Sequence, residues 1–509
     1  MKKFAAFIFF ALLSGGLARA NDIYLSQSGA GAGDASSCGN AKPVSFFNSS
    51  ANWGTGTSQI GPGDTVHLCG TITGSAGSTA LTFQGSGTTS SPITLLFESG
   101  AGLTASYWSS NGAINTNGQD YLTIDGGANG YVKNSQNGTT LSNHQDTKGL
   151  SVGGCIGCII KNLTVSNMYV HSGSNSDGGN SFGIYLYGGK NNTVTGNTVH
   201  DARWAIFNVY PGSNTTSNVL ISNNTIYNTD HGVTAGDGNG SAILSGITVS
   251  GNTFHDMVNW DDTADDFHHD YIHIWAASGG SSITGLQIFN NYFYGDPGLH
   301  INTLVNLETQ SGNTNDGALV YNNLITNSSA AHIPAYGYVS SGGTNISLYN
   351  NTIVGSTTSL NFANECFYLG GKNYKILNNT CQNVGAFLVL NANTTLSSVD
   401  YNNWYQSGGG FYAGGSFITF AAWKQFCLCD THSISVNPML DSTFKPLSGS
   451  PLVQKGSNLS PLGVSNLNKD KALVQRITSG AWDLGAYTMT SGASSSAPAA
   501  PTGLTASVQ

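Results

Sequence analysis

Residues 319–351 contain Leu319-Val-Tyr-Asn-Asn323 and Ile346-Ser-Leu-Tyr-Asn-Asn351, a short β-rich run closed by asparagine that returns after one short interval. The same unit recurs as Leu163-Thr-Val-Ser-Asn167, Thr193-Val-Thr-Gly-Asn197, Leu220-Ile-Ser-Asn-Asn224, Ile247-Thr-Val-Ser-Gly-Asn252, Leu286-Gln-Ile-Phe-Asn-Asn291, Ile376-Leu-Asn-Asn379 and Val399-Asp-Tyr-Asn-Asn403. From Asn197 onward the closing asparagines are Asn197, Asn224, Asn252, Asn291, Asn323, Asn351, Asn379 and Asn403. Their spacing is nearly constant apart from the interval between Asn252 and Asn291, whose greater length marks an insertion. A unit of this length, with short alternating strands and no helical periodicity, cannot bury its apolar face alone, so successive turns must stack. The pattern predicts an all-β chain coiled as a parallel β-helix. Asparagine suits the recurrent position because it tolerates the left-handed backbone of a sharp bend and its amide can bond to the next coil in a ladder.

Composition agrees with a large packed core. The 509 residues include 22 Tyr, 22 Phe and 8 Trp, and only 8% are charged, which excludes disorder driven by charge repulsion. Nucleic acid is excluded as a partner, because phosphate neutralisation needs clustered Lys and Arg, whereas Arg203 is the sole basic residue between Lys190 and Lys372. Met1 to Ala20 reads as a secretory signal, with Lys2 and Lys3, an apolar run from Phe4 to Leu13, and Ala18-Arg19-Ala20 before the expected cleavage point. Its removal would move the net charge from −9 to −12, since Lys2, Lys3 and Arg19 leave with it. No later stretch is long and apolar enough to span a bilayer. In an exported protein the eight cysteines read as the couples Cys38–Cys69, Cys155–Cys158, Cys366–Cys381 and Cys427–Cys429; the alternative is a zinc site from Cys155, Cys158, Cys427 and Cys429. The expected divisions are a signal at 1–20, a cap and first coils at 21–149, the main coils with a closing segment at 150–488, and a disordered Ser/Ala/Pro tail at 489–509.

Alternation along the strands separates core from surface. With Ile184, Leu186, Ile206, Val233, Ile272, Ile274, Val305 and Leu307 inward, the outward set is Tyr185, Tyr187, Phe207, Thr234, His273, Trp275, Asn306 and Glu308. A column of aromatic rings beside amides and carboxylates suits a sugar chain, so Tyr185, Tyr187, Phe207, Trp275, Asn306 and Glu308 are candidate substrate-binding residues. The segment from Trp260 to His273 adds five carboxylates and three imidazoles to a chain poor in charge. Such a cluster is a solvated loop, a Ca²⁺ site built on oxygen ligands, or a transition-metal site centred on His268, His269 and His273. His200-Asp201 and His255-Asp256 each follow closely on a repeat asparagine and read as pairs completing turn hydrogen bonds.

Asp22-Ile-Tyr-Leu-Ser-Gln-Ser-Gly29, Pro62-Gly-Asp-Thr-Val-His-Leu68, Pro92-Ile-Thr-Leu95, the asparagine coils and Trp482-Asp-Leu-Gly-Ala-Tyr487 together resemble secreted bacterial right-handed β-helix proteins of the pectin-lyase-like superfamily. Two narrower resemblances meet at the insertion. The spacing from Asp237 to Asp261-Asp262-x-x-Asp265 is similar to that of the calcium-binding aspartates of family-nine pectate lyases. That resemblance implies a cation shared by Asp237, Asp261, Asp262 and Asp265, binding a uronate and acidifying its C5 proton. The lysine base of that family has no counterpart, which leaves His273 or Arg203, with His231 or His300 as substitutes. By register, Asp230 should match Val258 one coil later, bringing Asp237 beside Asp265. Asn228-Thr229-Asp230, Asp261-Asp262 and His268 or His269 resemble polygalacturonase signatures, which makes Asp230 and Asp262 an alternative hydrolytic pair. The expected protein is thus a secreted, monomeric polysaccharide-degrading enzyme, a calcium-assisted lyase of a uronate-containing glycan. The alternatives are a carboxylate-based glycoside hydrolase and a non-catalytic carbohydrate-binding adhesin.

Overall fold

The computed structural model describes residues 20–136, 146–168, 180–211, 215–257, 268–356, 362–406 and 410–489. Within them the chain winds as a parallel β-helix. Fourteen strands, from Lys42–Pro43 and Asp22–Ser26 at one end to Leu396–Asp400 at the other, stack in strict parallel order as one face. Two further ladders are joined into a single sheet of 23 strands, because some coils carry one long strand through the corner between faces. The coils wind with the right-handed sense that parallel crossovers take. Stacking is already present at Asp22, within the segment expected to hold the cap and first coils, since Asp22–Leu25 pairs with Thr65–Leu68.

Repeat asparagines hold the stack together, and adjacent ones divide the work. Asn197, Asn224, Asn252, Asn291, Asn323, Asn351, Asn379 and Asn402 are buried, and each side-chain amide but the last donates to the carbonyl oxygen of the next in line at 2.9–3.1 Å. The left-handed turn falls on the residue before, at Asn223, Asn290, Asn322, Asn350 and Asn378. The last ladder residue is therefore Asn402 and not Asn403, with Tyr401 taking the left-handed turn.

One continuous hydrophobic core fills the coil, and Ile184, Leu186, Ile206, Val233, Ile272, Ile274, Val305 and Leu307 all lie in it. The four cysteine couples are disulfides as expected: Cys38–Cys69, Cys155–Cys158, Cys366–Cys381 and Cys427–Cys429. After the helix Phe420–Cys427 the closing segment doubles back along the fourteen-stranded face. There Arg476 donates to Asn322, Asn350 donates to the carbonyls of Asp483 and Gly485, and Trp482 packs with Phe289, Tyr321 and Tyr349.

Five strands of the joined sheet position the site: β1 (Phe182–Tyr187), β2 (Thr198–Pro211), β3 (Thr225–Asn239), β4 (His269–Ala276) and β5 (Ile301–Thr309). β2 and β3 turn the corner through left-handed Asp201 and Asn228. The insertion changes the register expected there. Thr225 pairs with Thr253, at the ordinary interval of the coil, but His231 pairs with Asp270, so the inserted residues lie between the two pairings. Gly236 pairs with Trp275, which sets Asp237 level with Ala276 and Asp230 level with His269 instead of Val258.

Candidate active site

Each coil returns its strand one rung further along, so residues distant in sequence become lateral neighbours. Trp204, His231, Asp270 and Thr303 share one rung, and Phe207, Thr234, His273 and Asn306 share another. Arg203, Trp204, His231, His268, His273, Trp275 and Glu308 line a cleft of about 240 Å³ on this face.

Behind the cleft lie two fully buried carboxylates. Asp230 accepts from His231 Nδ1 at 3.0 Å and from Arg203 Nε at 3.5 Å. Burial alone would raise its carboxyl, but the charge and hydrogen bond of His231, with His269 and Arg203 nearby, hold it below the ordinary range. Asp270 Oδ1 accepts the backbone N–H of Thr303. Its Oδ2 faces three imidazole nitrogens: His268 Nε2 at 3.2 Å, His273 Nδ1 at 3.4 Å and His231 Nε2 at 3.6 Å. Burial opposes its charge, yet those imidazoles keep Asp270 well below the usual carboxylate range. Burial likewise disfavours the charged form of His231, but Asp230 and Asp270 push that imidazole up to about 9. At the rim Glu308 bonds His273 Nε2 at 3.1 Å, which lowers the Glu308 carboxyl in spite of partial burial.

An aromatic row continues from the cleft along the same face. Phe207 and Trp275 are 6.4 Å apart, and Tyr185 stacks on Phe207 at 5.5 Å and on Tyr187 at 5.5 Å. All four rings are half-buried. Lys148 Nζ covers Tyr185 at 4.0 Å, and burial pushes the Tyr185 phenol up to about 12. Trp204, stacked on His231 at 4.3 Å, has an indole N–H without a hydrogen-bond partner among the described residues.

Of the candidates read from sequence, His273, Arg203, Trp275 and Glu308 line the cleft, and Tyr185, Tyr187 and Phe207 flank it. Asn306 is 9% exposed, on the His273 rung. Asp230 is 0% exposed and reaches the cleft only through His231 and Arg203. Asp261, Asp262 and Asp265 lie outside the described residues, so Asp237 alone represents the aspartate set expected to hold calcium. Asp237 Oδ2 accepts the backbone N–H groups of Ala277 and Ser278, and its Oδ1 is buried without a hydrogen-bond partner among the described residues. The donors gathered in the cleft, three imidazoles around one carboxylate, do not suit calcium, which takes oxygen ligands.

Asp270 and Trp204 escape strand alternation because they sit at the corner. There the pairing of β4 with β5 shifts between His269 and Asp270, leaving Asn302 as the extra residue. The His-His-Asp run at 268–270 was the available signal. His200 and His255 bond their neighbours Asp201 and Asp256, both in left-handed turns, and stack with Tyr227 and Tyr294 away from the cleft lining.

No protein-family model matches the chain, and no curated protein matches it. Among solved structures it is similar to pectate lyase Pel9A, at 15% identity over 93% of this chain and 97% of that one, TM-score 0.41. It is also similar to the GH136 lacto-N-biosidase from Eubacterium ramulus, at 10% identity over 77% and 67%, TM-score 0.38. A rhamnogalacturonan lyase matches at 15% identity over 75% and 87%, TM-score 0.34.

Proposed function

We propose that the protein cleaves an acidic polysaccharide by β-elimination, with the cleft between β2 and β5 as its active site. The observation that carries this reading is the arrangement of groups: the Arg203 guanidinium and the imidazoles of His231, His268 and His273 line the cleft, whereas the carboxylates of Asp230 and Asp270 lie fully buried behind them. A uronate carboxylate meets the Arg203 guanidinium, and the aromatic row seats the neighbouring sugars. Arg203 offers the planar fork that matches a carboxylate, held in place by Asp230. His268, with a side chain 52% exposed and Nε2 directed at Asp270, takes the C5 proton. The C5–H electron pair forms the C4–C5 double bond, the C4–O4 bond breaks with its electrons on O4, and water protonates the leaving oxygen.

Hydrolysis by two carboxyl groups needs one that keeps its proton. Asp230, Asp270 and Glu308 each face an imidazole or guanidinium and are held ionised. Export into an oxidising compartment agrees with the four disulfides. Among the described residues no helix is long and apolar enough to cross a membrane. The test is a panel of uronate-containing polysaccharides incubated with the purified protein. Ultraviolet absorbance from an unsaturated uronate supports the reading; new reducing ends without it indicate a hydrolase, and binding without either product indicates an adhesin.

A further inference from the structure

Among the described residues, three polar atoms in the wall of the cleft are buried without a hydrogen-bond partner: His231 Nε2, Asp270 Oδ2 and His273 Nδ1. They belong to side chains 3%, 0% and 8% exposed, and they converge. Together with His268 Nε2 they lie within 4.8 Å of one another. Leaving a buried polar atom unbonded is destabilising, so three at one point call for a common partner.

The distances and the surrounding bonds say what kind of partner. Imidazole nitrogens at 3.2–3.6 Å from Asp270 Oδ2 stand too far off for strong charge-assisted bonds. A tetrahedral ion with ligand bonds of about 2.0–2.1 Å separates its ligands by about 3.3 Å, close to the 3.4 Å and 3.6 Å that separate Asp270 Oδ2 from His273 Nδ1 and His231 Nε2. Metal-binding histidines characteristically donate their other ring nitrogen to a carboxylate, which fixes the ring orientation. Both buried histidines do so: His231 Nδ1 to Asp230 at 3.0 Å and His273 Nε2 to Glu308 at 3.1 Å. Thr303 fixes the ligating carboxylate through Asp270 Oδ1.

We propose that His231 Nε2, Asp270 Oδ2 and His273 Nδ1 bind one divalent transition-metal ion of the zinc type, with the fourth position open to the cleft beside His268. Two nitrogens and one carboxylate select such an ion over Ca²⁺ or Mg²⁺, and three protein ligands with an open position is the pattern of a catalytic site. Its role rests on the lyase reading: the ion would receive the uronate carboxylate and acidify the C5 proton, while His268 accepts it. The site itself does not depend on that reading.

The test uses the purified protein, stripped with chelator and titrated with Zn²⁺, Mn²⁺ or Ca²⁺ by calorimetry, with Co²⁺ as a visible-absorption probe. The expected result is one equivalent of Zn²⁺, a ligand-field spectrum with Co²⁺, and no competition by Ca²⁺. Asp270→Asn and His273→Gln should abolish binding, Glu308→Gln should weaken it about 10- to 100-fold, and His255→Ala, away from the cleft, should leave it intact. No Zn²⁺ or Co²⁺ binding by the folded wild-type protein, or undiminished binding by both ligand variants, overturns the proposal. Activity on uronate glycans that survives complete metal removal overturns the metal's role and leaves the lyase reading standing. Stoichiometric Zn²⁺ binding with no product from any glycan leaves the site standing and removes the lyase reading.

Discussion

The indole of Trp275 lies flat against Gly236 on the preceding coil, where a Cβ would come within 2.2 Å of the ring. The same indole donates to the carbonyl of Asp237 at 2.8 Å, so its plane is set from beneath and at its edge. Glycine at 236 is what lets the ring settle between the cleft and the aromatic row. Gly236→Ala should therefore displace Trp275 while leaving the coil folded, and Trp275→Ala should remove the same sugar contact outright. Both should raise KM about tenfold, equivalent to about 1.4 kcal/mol of binding, with kcat little changed. Steady-state kinetics on the cleaved glycan checks this; an unchanged KM in both variants removes Trp275 from the binding face.

Arg203 is expected to be intolerant of Lys. A lysine retains charge but loses the planar fork that spans Asp230 and an incoming carboxylate. Arg203→Lys and Arg203→Ala should each lower kcat/KM by about a hundredfold or more, with the melting temperature of the lysine variant near that of the wild type. Retention of activity in Arg203→Lys would show that position 203 supplies charge alone.

His268 is the half-exposed imidazole of the cleft, and its role as proton acceptor separates it from the buried pair. His268→Ala should reduce kcat by about 10²–10⁴-fold, the usual contribution of a positioned general base, with little effect on KM. Activity of His268→Ala within a few-fold of wild type would move the proton transfer to another group.

The sequence disclosed the coil and its outward residues far better than the arrangement around Asp270. Asparagine spacing and strand alternation reach His273, Trp275, Asn306 and Glu308, because inside a straight strand parity alone decides which way a side chain points. Parity fails at the corner where His231 and Asp270 meet, since a bend and an extra residue reset it. Register failed for a related reason. Counting one regular repeat from Asp230 reaches Val258, but the chain places its insertion before β4, so the neighbour is His269. The acidic run at 261–266, on which the calcium expectation rests, lies outside the described residues, and the groups that converge in the described cleft are mostly imidazoles.

The asparagine ladder gives a prediction about stability. Asn323 accepts from Asn291 through the backbone N–H and the amide, and donates to Asn351 Oδ1 and to the Ile288 carbonyl. Asn323→Ala would strand donors and acceptors of both neighbouring coils in the core. At about 1–3 kcal/mol for each buried group left unbonded, a loss of about 3 kcal/mol or more is expected by denaturant unfolding. A loss below about 1 kcal/mol would mean the ladder is incidental to stacking.

Glu365 supplies the pH-dependent counterpart. Its carboxyl is fully buried, neither oxygen has a hydrogen-bond partner among the described residues, and burial pushes it up to about 8. The native state therefore holds the proton over a range in which the unfolded chain, titrating at the ordinary value of 4.5, has released it. Because the folded value is the higher one, the stabilisation is complete below about pH 4.5 and is lost as pH rises toward 8, at about 1.4 kcal/mol per pH unit at most. Glu365→Gln, which cannot ionise, should flatten that decline, so that the variant is the more stable of the two at pH 8–9 and gains least at pH 5. Melting temperatures of both proteins across that range decide it: parallel curves for wild type and variant would mean that Glu365 is ionised in the folded protein.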